Sequence, residues 1–416
     1  MPSPDRGGAS YRAVLTLPHA RSLFAAAMLA RLCYGLLGLP LLLALREGTG
    51  SYAVAGAATG LFGLVAAVLG PVRARLVERH HAALMLLAVC YALLLSALAA
   101  ACTAPVPALL TVPLAILAGA CSPPVGPLMR TLWGKLTADE AQHQCALSLD
   151  TAAESTVFAL GPVLGGLLVA ASSAPAVLTV CAALVITGFG LLAAGLRRTP
   201  ASVRVGSQAA RPRSPLRAGG FTPLLLLTLA VADALSLFEV AVIAAWGTLV
   251  AGVLTTLFSV GGVLGGLVYG RRHWRGALAR RPLVLAAAST VCYALPALVY
   301  SAPAAGVALL LAGACTDVLL ITAYQRVDRL VPEGSRTEAG AWINTAYNLG
   351  ASMGTAVGGV LVDRSGSPAA FAVTAGLLGV CTLICAPLTL RRHATDAAGD
   401  PALTQPEPVA TAPEPT

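Results

Sequence analysis

TAAESTVFALGPVLGGLL, residues 151–168, is an apolar run that carries a single carboxylate, Glu154, with Asp150 directly before it. At about 100° per residue, one helical stripe about 60° wide holds both acids and two glycines, namely Asp150, Glu154, Gly161 and Gly165. Stripes of small residues are the places where membrane helices approach each other closely. We therefore expect a membrane-crossing helix whose acidic face packs against protein and not against lipid.

The composition excludes a soluble globular protein. The 416 residues are 57% hydrophobic and only 11% charged, whereas soluble proteins carry about a quarter of charged residues. Repeated apolar runs of about 20 residues predict a polytopic all-α membrane protein. No phosphate-binding loop is present, and the histidines lack the spacing of metal ligands. The sequence therefore predicts no enzymatic activity, no cofactor and no metal site.

The apolar runs divide the chain into twelve predicted spans. These are roughly 22–45, 51–71, 82–103, 106–129, 144–171, 175–196, 222–245, 248–270, 282–302, 304–326, 338–362 and 368–390. They form two bundles of six helices, 22–196 and 222–390. The remaining segments are an N-terminal tail (1–21), a linker rich in Arg, Pro and Ser (197–221), and a C-terminal tail predicted to be disordered (391–416).

The basic residues predict the orientation. If the N-terminus is cytoplasmic, most of the 27 Lys and Arg residues fall in cytoplasmic segments, Arg73 and Arg130 among them. Both termini are then cytoplasmic. The net charge of +9 is explained by this topology, so we expect no nucleic-acid partner.

Prolines within the apolar runs predict helix bends. Pro40 lies in span 1, and Pro123, Pro124 and Pro127 lie in span 4. Membrane helices tolerate such breaks where neighbouring groups satisfy the freed backbone. We expect these two spans to bend.

Two short motifs carry a family resemblance. The segment ARLVERHH (74–81) follows span 2 and supplies Leu76, Glu78 and Arg79 at the positions of a known loop motif. The segment GPVLGG (161–166) in span 5 supplies Gly161, Pro162, Gly165 and Gly166. Through these motifs the chain, over about 20–391, resembles the major facilitator superfamily. The span 5 motif, with RLCYGLLGLPLLL in span 1 and AWINTAYNLGASMG in span 11, is similar to its bacterial drug/proton-antiporter-like efflux permeases.

The resemblance implies a fold and a mode of action. It implies twelve helices in two pseudo-symmetric halves, residence in the bacterial cytoplasmic membrane, and function as a monomer with a small-molecule substrate and protons as partners. It also implies a central cavity lined by spans 1, 4, 7 and 10, which places Arg31, Asp233 and Asp317 beside the transport route.

Two charged residues in the amino-terminal half lie at equal predicted depth. Arg31 in span 1 and Glu154 in span 5 are each about 14–15 Å from the cytoplasmic side, at about 1.5 Å of rise per residue. A buried charge is costly unless it is paired, so we predict an ion pair between them. Asp150 is expected nearer the cytoplasm, within reach of water. The pair either takes part in coupling or is a permanent bridge within this half.

The carboxyl-terminal half supplies further polar candidates. Asp233 is predicted near the membrane midplane, Glu239 nearer the outside, and Asp317 in the cytoplasmic half of span 10. Asp233 and Glu239 point about 120° apart on their helix and are not expected to act as a carboxylate pair. Asn344 and Asn348 lie one turn apart in span 11, as interhelical hydrogen-bonding groups or substrate contacts.

Three functions are open at this point. The first is proton-coupled efflux of a small amphipathic or cationic molecule, with Glu154 and Asp233 as the proton carriers and Arg31 tuning the first. The second is proton-coupled or facilitated uptake of a small metabolite. The third is a membrane receptor or scaffold that transports nothing.

Overall fold

The computed structural model describes residues 10–103, 108–199, 214–272, 274 and 277–398, and these are almost wholly α-helical. The tail segments 1–9 and 399–416 and most of the predicted linker, 200–213, lie outside the described residues. The helices are α1 (Tyr11–Thr16), α2 (Ala20–Thr49), α3 (Tyr52–Val68), α4 (Gly70–Arg79), α5 (His81–Ala101), α6 (Ala108–Cys121), α7 (Val125–Leu136), α8 (Glu140–Ala171), α9 (Ala174–Arg198), α10 (Phe221–Arg271), α11 (Arg281–Leu298), α12 (Ala302–Leu330) and α13 (Arg336–Ala398).

The helices confirm a polytopic membrane protein. Ten segments of the described chain are long and apolar enough to cross a membrane, or eleven if α3 and α4, bent by 47°, form one span. One of the ten has 57 residues and contains Gly366, whose φ of 76° breaks the helix. A span needs about 20 residues, so this segment has the length of two predicted spans. Gly247, with a φ of 81°, breaks α10 in the same way. The number twelve stays a prediction.

The two halves pack in equivalent ways. Most helices from α2 to α9 pack mainly within their own group, although α4 packs mainly against α13, and α10 to α13 pack mainly within theirs. Gly119 of α6 lies against the backbone carbonyl of Phe62, and Gly313 of α12 lies against that of Phe258. A Cβ atom at either glycine would overlap the carbonyl, so both sites require glycine. The same close crossing therefore occurs once in each half.

Short polar side chains mark where several helices begin. The side chain of each capping residue accepts a hydrogen bond from the backbone N–H three residues later. The N–H groups of the first helical turn have no carbonyl partner within the helix, and the cap supplies one. The caps are Ser10, Ser51, Asp139, Ser173 and Ser301.

The halves meet at one end of the bundle, where α4, α7 and α12 end and α8 and α13 begin. We call this the arginine-rich end, and the contact between the halves there the seam. Helix α8 packs against α10 and α12, and α13 packs against α4 and α7. Away from the seam, a Cβ atom at Gly60 or Gly63 of α3, or at Gly359 of α13, would meet nothing within 4 Å.

Candidate functional site

A pair of fully buried charges lies between α2 and α8. The guanidinium of Arg31 donates to both carboxylate oxygens of Asp150, at 2.7 and 2.8 Å. The expected partner, Glu154, lies further away, with 3.7 Å between Arg31 Nε and Glu154 Oε1. The prediction that Asp150 reaches water was wrong, because its side chain is 0% exposed. Depth alone could not separate two acids on one helical face, and Asp150 is the one that meets both prongs of the guanidinium fork.

A second arginine completes the cluster. Arg130 of α7 hydrogen-bonds to Glu154, and its Nε lies 3.7 Å from Asp150 Oδ2. Its guanidinium carbon also lies 3.9 Å from the ring centre of Tyr324 on α12. The sequence analysis placed Arg130 in a cytoplasmic segment, and this was wrong: the side chain is only 6% exposed. The apolar run of span 4 stops at residue 129, but the helix continues to Leu136 and buries the charge among its partners.

Glu154 is the most accessible member of this charge cluster, which comprises Arg31, Arg130, Asp150 and Glu154. Its side chain is 19% exposed, whereas that of Asp150 is 0% exposed. A Cβ atom at Gly126 would lie 3.2 Å from Glu154 Oε1, so a glycine at this position leaves room beside the carboxylate. Glu154 can therefore exchange a proton with its surroundings more readily than Asp150 can.

Hydrogen bonds extend from the charge cluster into the carboxyl-terminal half. Ser155, next to Glu154, donates its hydroxyl to Asp317 Oδ2 at 2.7 Å, and Asp317 is buried. The Tyr324 hydroxyl donates to Asn344 Oδ1 at 2.5 Å. The structure thus brings Asp317 and Asn344 to the same site as Glu154, although sequence reasoning treated them separately.

Three predicted residues lie outside this site. Within the described residues, Asp233 has no hydrogen-bond or ion-pair partner, and its backbone carbonyl lies against Gly354. Glu239 is partly buried, and Thr255 lies near its carboxylate. The Asn348 side chain is exposed. Their roles stay predictions.

Span 4 is broken at its prolines, as predicted. Helix α6 ends at Cys121 and α7 begins at Val125. In an α-helix each carbonyl accepts the N–H four residues later, and proline has none. Three carbonyls therefore lack helical donors, namely those of Gly119, Ala120 and Pro123, because the residues four positions later are Pro123, Pro124 and Pro127.

Side chains from neighbouring helices supply the missing donors. Arg73 of α4 donates to the carbonyls of Gly119, at 2.5 Å, and Ala120, at 3.1 Å. The Tyr34 hydroxyl of α2 donates to the carbonyl of Pro123 at 2.9 Å. The sequence analysis placed Arg73 in a cytoplasmic segment, and this was also wrong: the residue is buried. Its guanidinium replaces the donors that the prolines lack.

The predicted loop motif is helical and belongs to the seam. Glu78 on α4 is buried, and its Oε1 accepts the backbone N–H of Thr337 at the start of α13 at 2.6 Å. A carboxylate is favourable at a helix N-terminus, where backbone N–H groups are free. Leu76 and Arg79 of the motif are exposed.

An ion pair beside the motif also crosses the seam. Arg75 donates to both carboxylate oxygens of Glu338, at 2.8 and 2.5 Å. Neither residue was predicted to form a contact between the halves, because a charged residue at the end of a predicted span is usually solvated.

The glycine stripe of α8 packs as predicted. Gly161 lies directly against the backbone of Gly35 on α2, and Gly165 lies against the carbonyl of Leu36. Gly166 touches only the Leu39 side chain, and Pro162 is exposed. The face that carries Asp150 and two of the motif glycines is therefore turned toward protein.

Comparison with known families identifies the chain. The sequence model of the Major Facilitator Superfamily matches residues 23–249 and 219–413. The chain belongs to this superfamily. A comparison with curated protein sequences finds no match.

Solved structures of the superfamily share the fold. The human organic anion transporter MFSD10 (TETRAN) is 18% identical with a TM-score of 0.67, over 91% of this chain and 100% of that chain. A bacterial homologue of the iron transporter ferroportin in an outward-facing state is 15% identical with a TM-score of 0.68, over 90% and 100%. The superfamily transporter FucP in the outward conformation is 16% identical with a TM-score of 0.62, over 88% and 99%. The protein is accordingly a transporter and not an enzyme.

Proposed function

We propose that the protein is a secondary transporter that exports a small amphipathic or cationic molecule in exchange for protons, by alternating access. It crosses the bacterial cytoplasmic membrane twelve times, counting α3 and α4 together as one span and α13 as two, and works as a monomer. The arginine-rich end faces the cytoplasm, in keeping with the positive-inside rule.

The charge cluster carries this proposal. Two arginines and two carboxylates at the middle of a membrane bundle are expensive to bury, and such groups mark ion pathways and proton relays. Arg31 and Asp150 satisfy each other through two hydrogen bonds, which leaves Glu154 as the partly exposed acid. We assign the coupling proton to Glu154, with Arg31 and Arg130 setting the stability of its charged form.

Asp317 is the second carrier in this assignment. It is buried and bonded to Ser155, so its carboxylate lies where the two halves touch. A change in its protonation alters a contact between the halves, which is what coupling to alternating access requires. Asp233 remains a third candidate, at a separate place in the carboxyl-terminal half.

The preference for a cation rests on unbalanced acids. Asp233 and Glu239 have no basic partner among the described residues. A cationic substrate supplies the charge that these carboxylates lack, and apolar helices around them suit its hydrophobic part.

Alternating access is supported by where the halves touch. The seam closes the arginine-rich end through Arg75–Glu338 and Glu78–Thr337. Opening of the seam gives substrate a place to enter from the cytoplasm, and opening of the opposite end gives it a place to leave.

Flux in proteoliposomes tests the proposal, with ethidium and tetraphenylphosphonium as probe cations. We expect export of a probe to move protons the opposite way, and Glu154→Gln and Asp317→Asn to abolish this movement. Glu140→Gln, an exposed position at the start of the same helix, is the matched control. Coupling that survives in both Glu154→Gln and Asp317→Asn contradicts the assignment.

The same assay separates the other functions. Movement of protons and probe in the same direction favours uptake. No flux with any probe, together with growth unchanged by deletion of the gene, favours a receptor or scaffold.

A further inference from the structure

Two cavities lead from the arginine-rich end toward the charge cluster. The outer one, which we call the vestibule, has a volume of about 280 Å³ and lies between the halves. Its walls include His143 at the start of α8, Gln325 and Asp328 of α12, and Arg336 of α13. Charged and polar walls of this kind hold water.

An inner cavity continues the path. Its volume of about 10 Å³ is the room that one water molecule needs. It shares Asp328 and Arg336 with the vestibule, and its far wall is formed by Arg130 and Tyr324. Asp328 lies directly over Gly134, where a Cβ atom would be 3.4 Å from its Oδ2. Gly134 is one helical turn from Arg130 on the same helix, so Asp328 and Arg130 lie about 6 Å apart along its axis.

Two buried N–H donors along the cavities have no hydrogen-bond partner among the described residues, namely Nη1 of Arg130 and Nε2 of Gln325. Nε2 of His143 and Nε of Arg336 each lie 3.3 Å from the carboxylate of Asp328. Buried donors in proteins are almost always satisfied, by ordered water where no protein group reaches them. Together with the two cavities, these donors indicate a water-filled path from the arginine-rich end to Arg130.

Arg130 stands between this path and Glu154. Arg130 contacts Glu154 on one side and lines the inner cavity on the other. Glu154 is partly exposed on its own side, so without Arg130 a proton could pass from one side of the membrane to the other while the seam is closed. Fixed positive charge is a general device by which channels exclude protons.

We propose that Arg130 is an electrostatic seal that keeps protons in the vestibule from reaching Glu154. The inference rests on the proposed proton coupling, but it concerns a leak that needs no substrate. The charged and titratable groups around the seal, from every helix packed against it, are Arg31, Asp150, Glu154, Asp317, Tyr324, Asp328 and Arg336.

Proton leak through the protein in liposomes tests the seal. The liposomes contain a pH-sensitive dye, no substrate is added, and a potassium diffusion potential drives protons. We expect Arg130→Gln to leak on the order of tenfold faster than the wild type, since repulsion between unit charges a few ångströms apart in a protein reaches at least that factor. Arg130→Lys keeps the charge and is expected to stay sealed.

A matched variant separates the seal from general loosening. Arg31→Gln removes an equally buried cation from the same acids, but Arg31 lines neither cavity. We expect no added leak from it. A leak of equal size in Arg31→Gln and Arg130→Gln, or none in Arg130→Gln, overturns the proposal.

The leak test also requires that the Arg130→Gln variant folds. Arg130→Gln leaves the charge cluster with one excess negative charge, whereas Arg130→Gln with Asp150→Asn keeps it neutral, as Arg31 then faces Glu154 alone. If the single variant does not fold, the double variant carries the test, with the same expected leak. If Arg130→Gln leaks protons but the wild type shows no proton-coupled flux, the seal is supported and the proposed transport function is contradicted. The failure of one proposal can therefore be distinguished from the failure of the other.

Discussion

Arg31 and Asp150 form a two-point ion pair inside the helix bundle, with side chains that are 1% and 0% exposed. One turn further along α8, Glu154 shares the second arginine, Arg130, and remains partly exposed. Two acids on one helical face thus differ in burial and in their closest partner. On this difference rests our proposal that Asp150 joins helices and Glu154 carries the coupling proton.

Loss of Asp150 should cost far more stability than loss of Glu154. Removal of one partner of a buried ion pair costs about 3–5 kcal/mol, because the other charge is left buried and unpaired. We expect Asp150→Asn to lower the thermal unfolding temperature in detergent much more than Glu154→Gln does. After Glu154→Gln, Arg130 still has the carboxylate of Asp150 nearby. Equal shifts of the unfolding temperature in the two variants would contradict the different roles proposed for Asp150 and Glu154.

Arg73 should be essential for the broken span 4. Arg73→Met leaves the carbonyl of Ala120 without its side-chain donor, at about 1–3 kcal/mol for an unsatisfied buried group, and leaves the carbonyl of Gly119 with Ser122 alone. Arg73→Lys, with one point charge in place of a planar fork, should recover only part of this loss. Arg79→Met, exposed on the same helix, is the control and should change stability by about 0.5 kcal/mol or less. Thermal unfolding of the three variants gives the comparison.

The two motif glycines Gly161 and Gly166 should differ in their tolerance of a methyl group. A Cβ atom at Gly161 overlaps the backbone of Gly35, which cannot move aside without separating α2 from α8. At Gly166 it meets only the Leu39 side chain at 3.5 Å, an ordinary contact. We expect Gly161→Ala to reduce the yield of folded protein in size-exclusion chromatography and Gly166→Ala to leave it unchanged. The reverse order would mean that α2 and α8 pack differently.

Weakening the seam should open the arginine-rich end. Glu338→Gln removes the charge that Arg75 holds through two hydrogen bonds. In a cysteine-free background with spin labels at Ala138 and Gly334, we expect a population with longer distances across the seam, measured by electron paramagnetic resonance.

The control for the seam is its exposed ion pair. Arg329 and Glu140 are 59% and 60% exposed, and pairs of this kind contribute about 0–1 kcal/mol. Glu140→Gln should therefore leave the distance distribution unchanged. An unchanged distribution in Glu338→Gln as well would show that the ion pair does not hold the seam.

Features with helical periodicity could be predicted from the sequence. The apolar runs gave the membrane-crossing helices, and the spacing of Asp150, Gly161 and Gly165 gave the buried face of α8. The prolines gave the break in span 4. Each of these depends on residues close together in the chain, so local spacing is enough to predict it.

Features that depend on neighbours distant in sequence were missed. Arg73 and Arg130 were placed in cytoplasmic segments because a charge ends an apolar run, although their partners are carbonyls and carboxylates on other helices. The contact between Ser155 and Asp317 joins residues 162 positions apart, and no spacing within either helix reveals it. Depth along a helix predicted the ion pair between Arg31 and Glu154 but missed the shorter one between Arg31 and Asp150.

The central proposal is that Glu154 binds and releases the coupling proton while Asp150 holds Arg31. Infrared difference spectroscopy between acidic and neutral pH measures this directly, because a carboxyl group that takes up a proton gains a band distinct from that of the carboxylate. We predict a protonation signal in the wild type, reduced by Asp317→Asn and with its main component absent in Glu154→Gln. A signal that persists unchanged in Glu154→Gln would contradict the account.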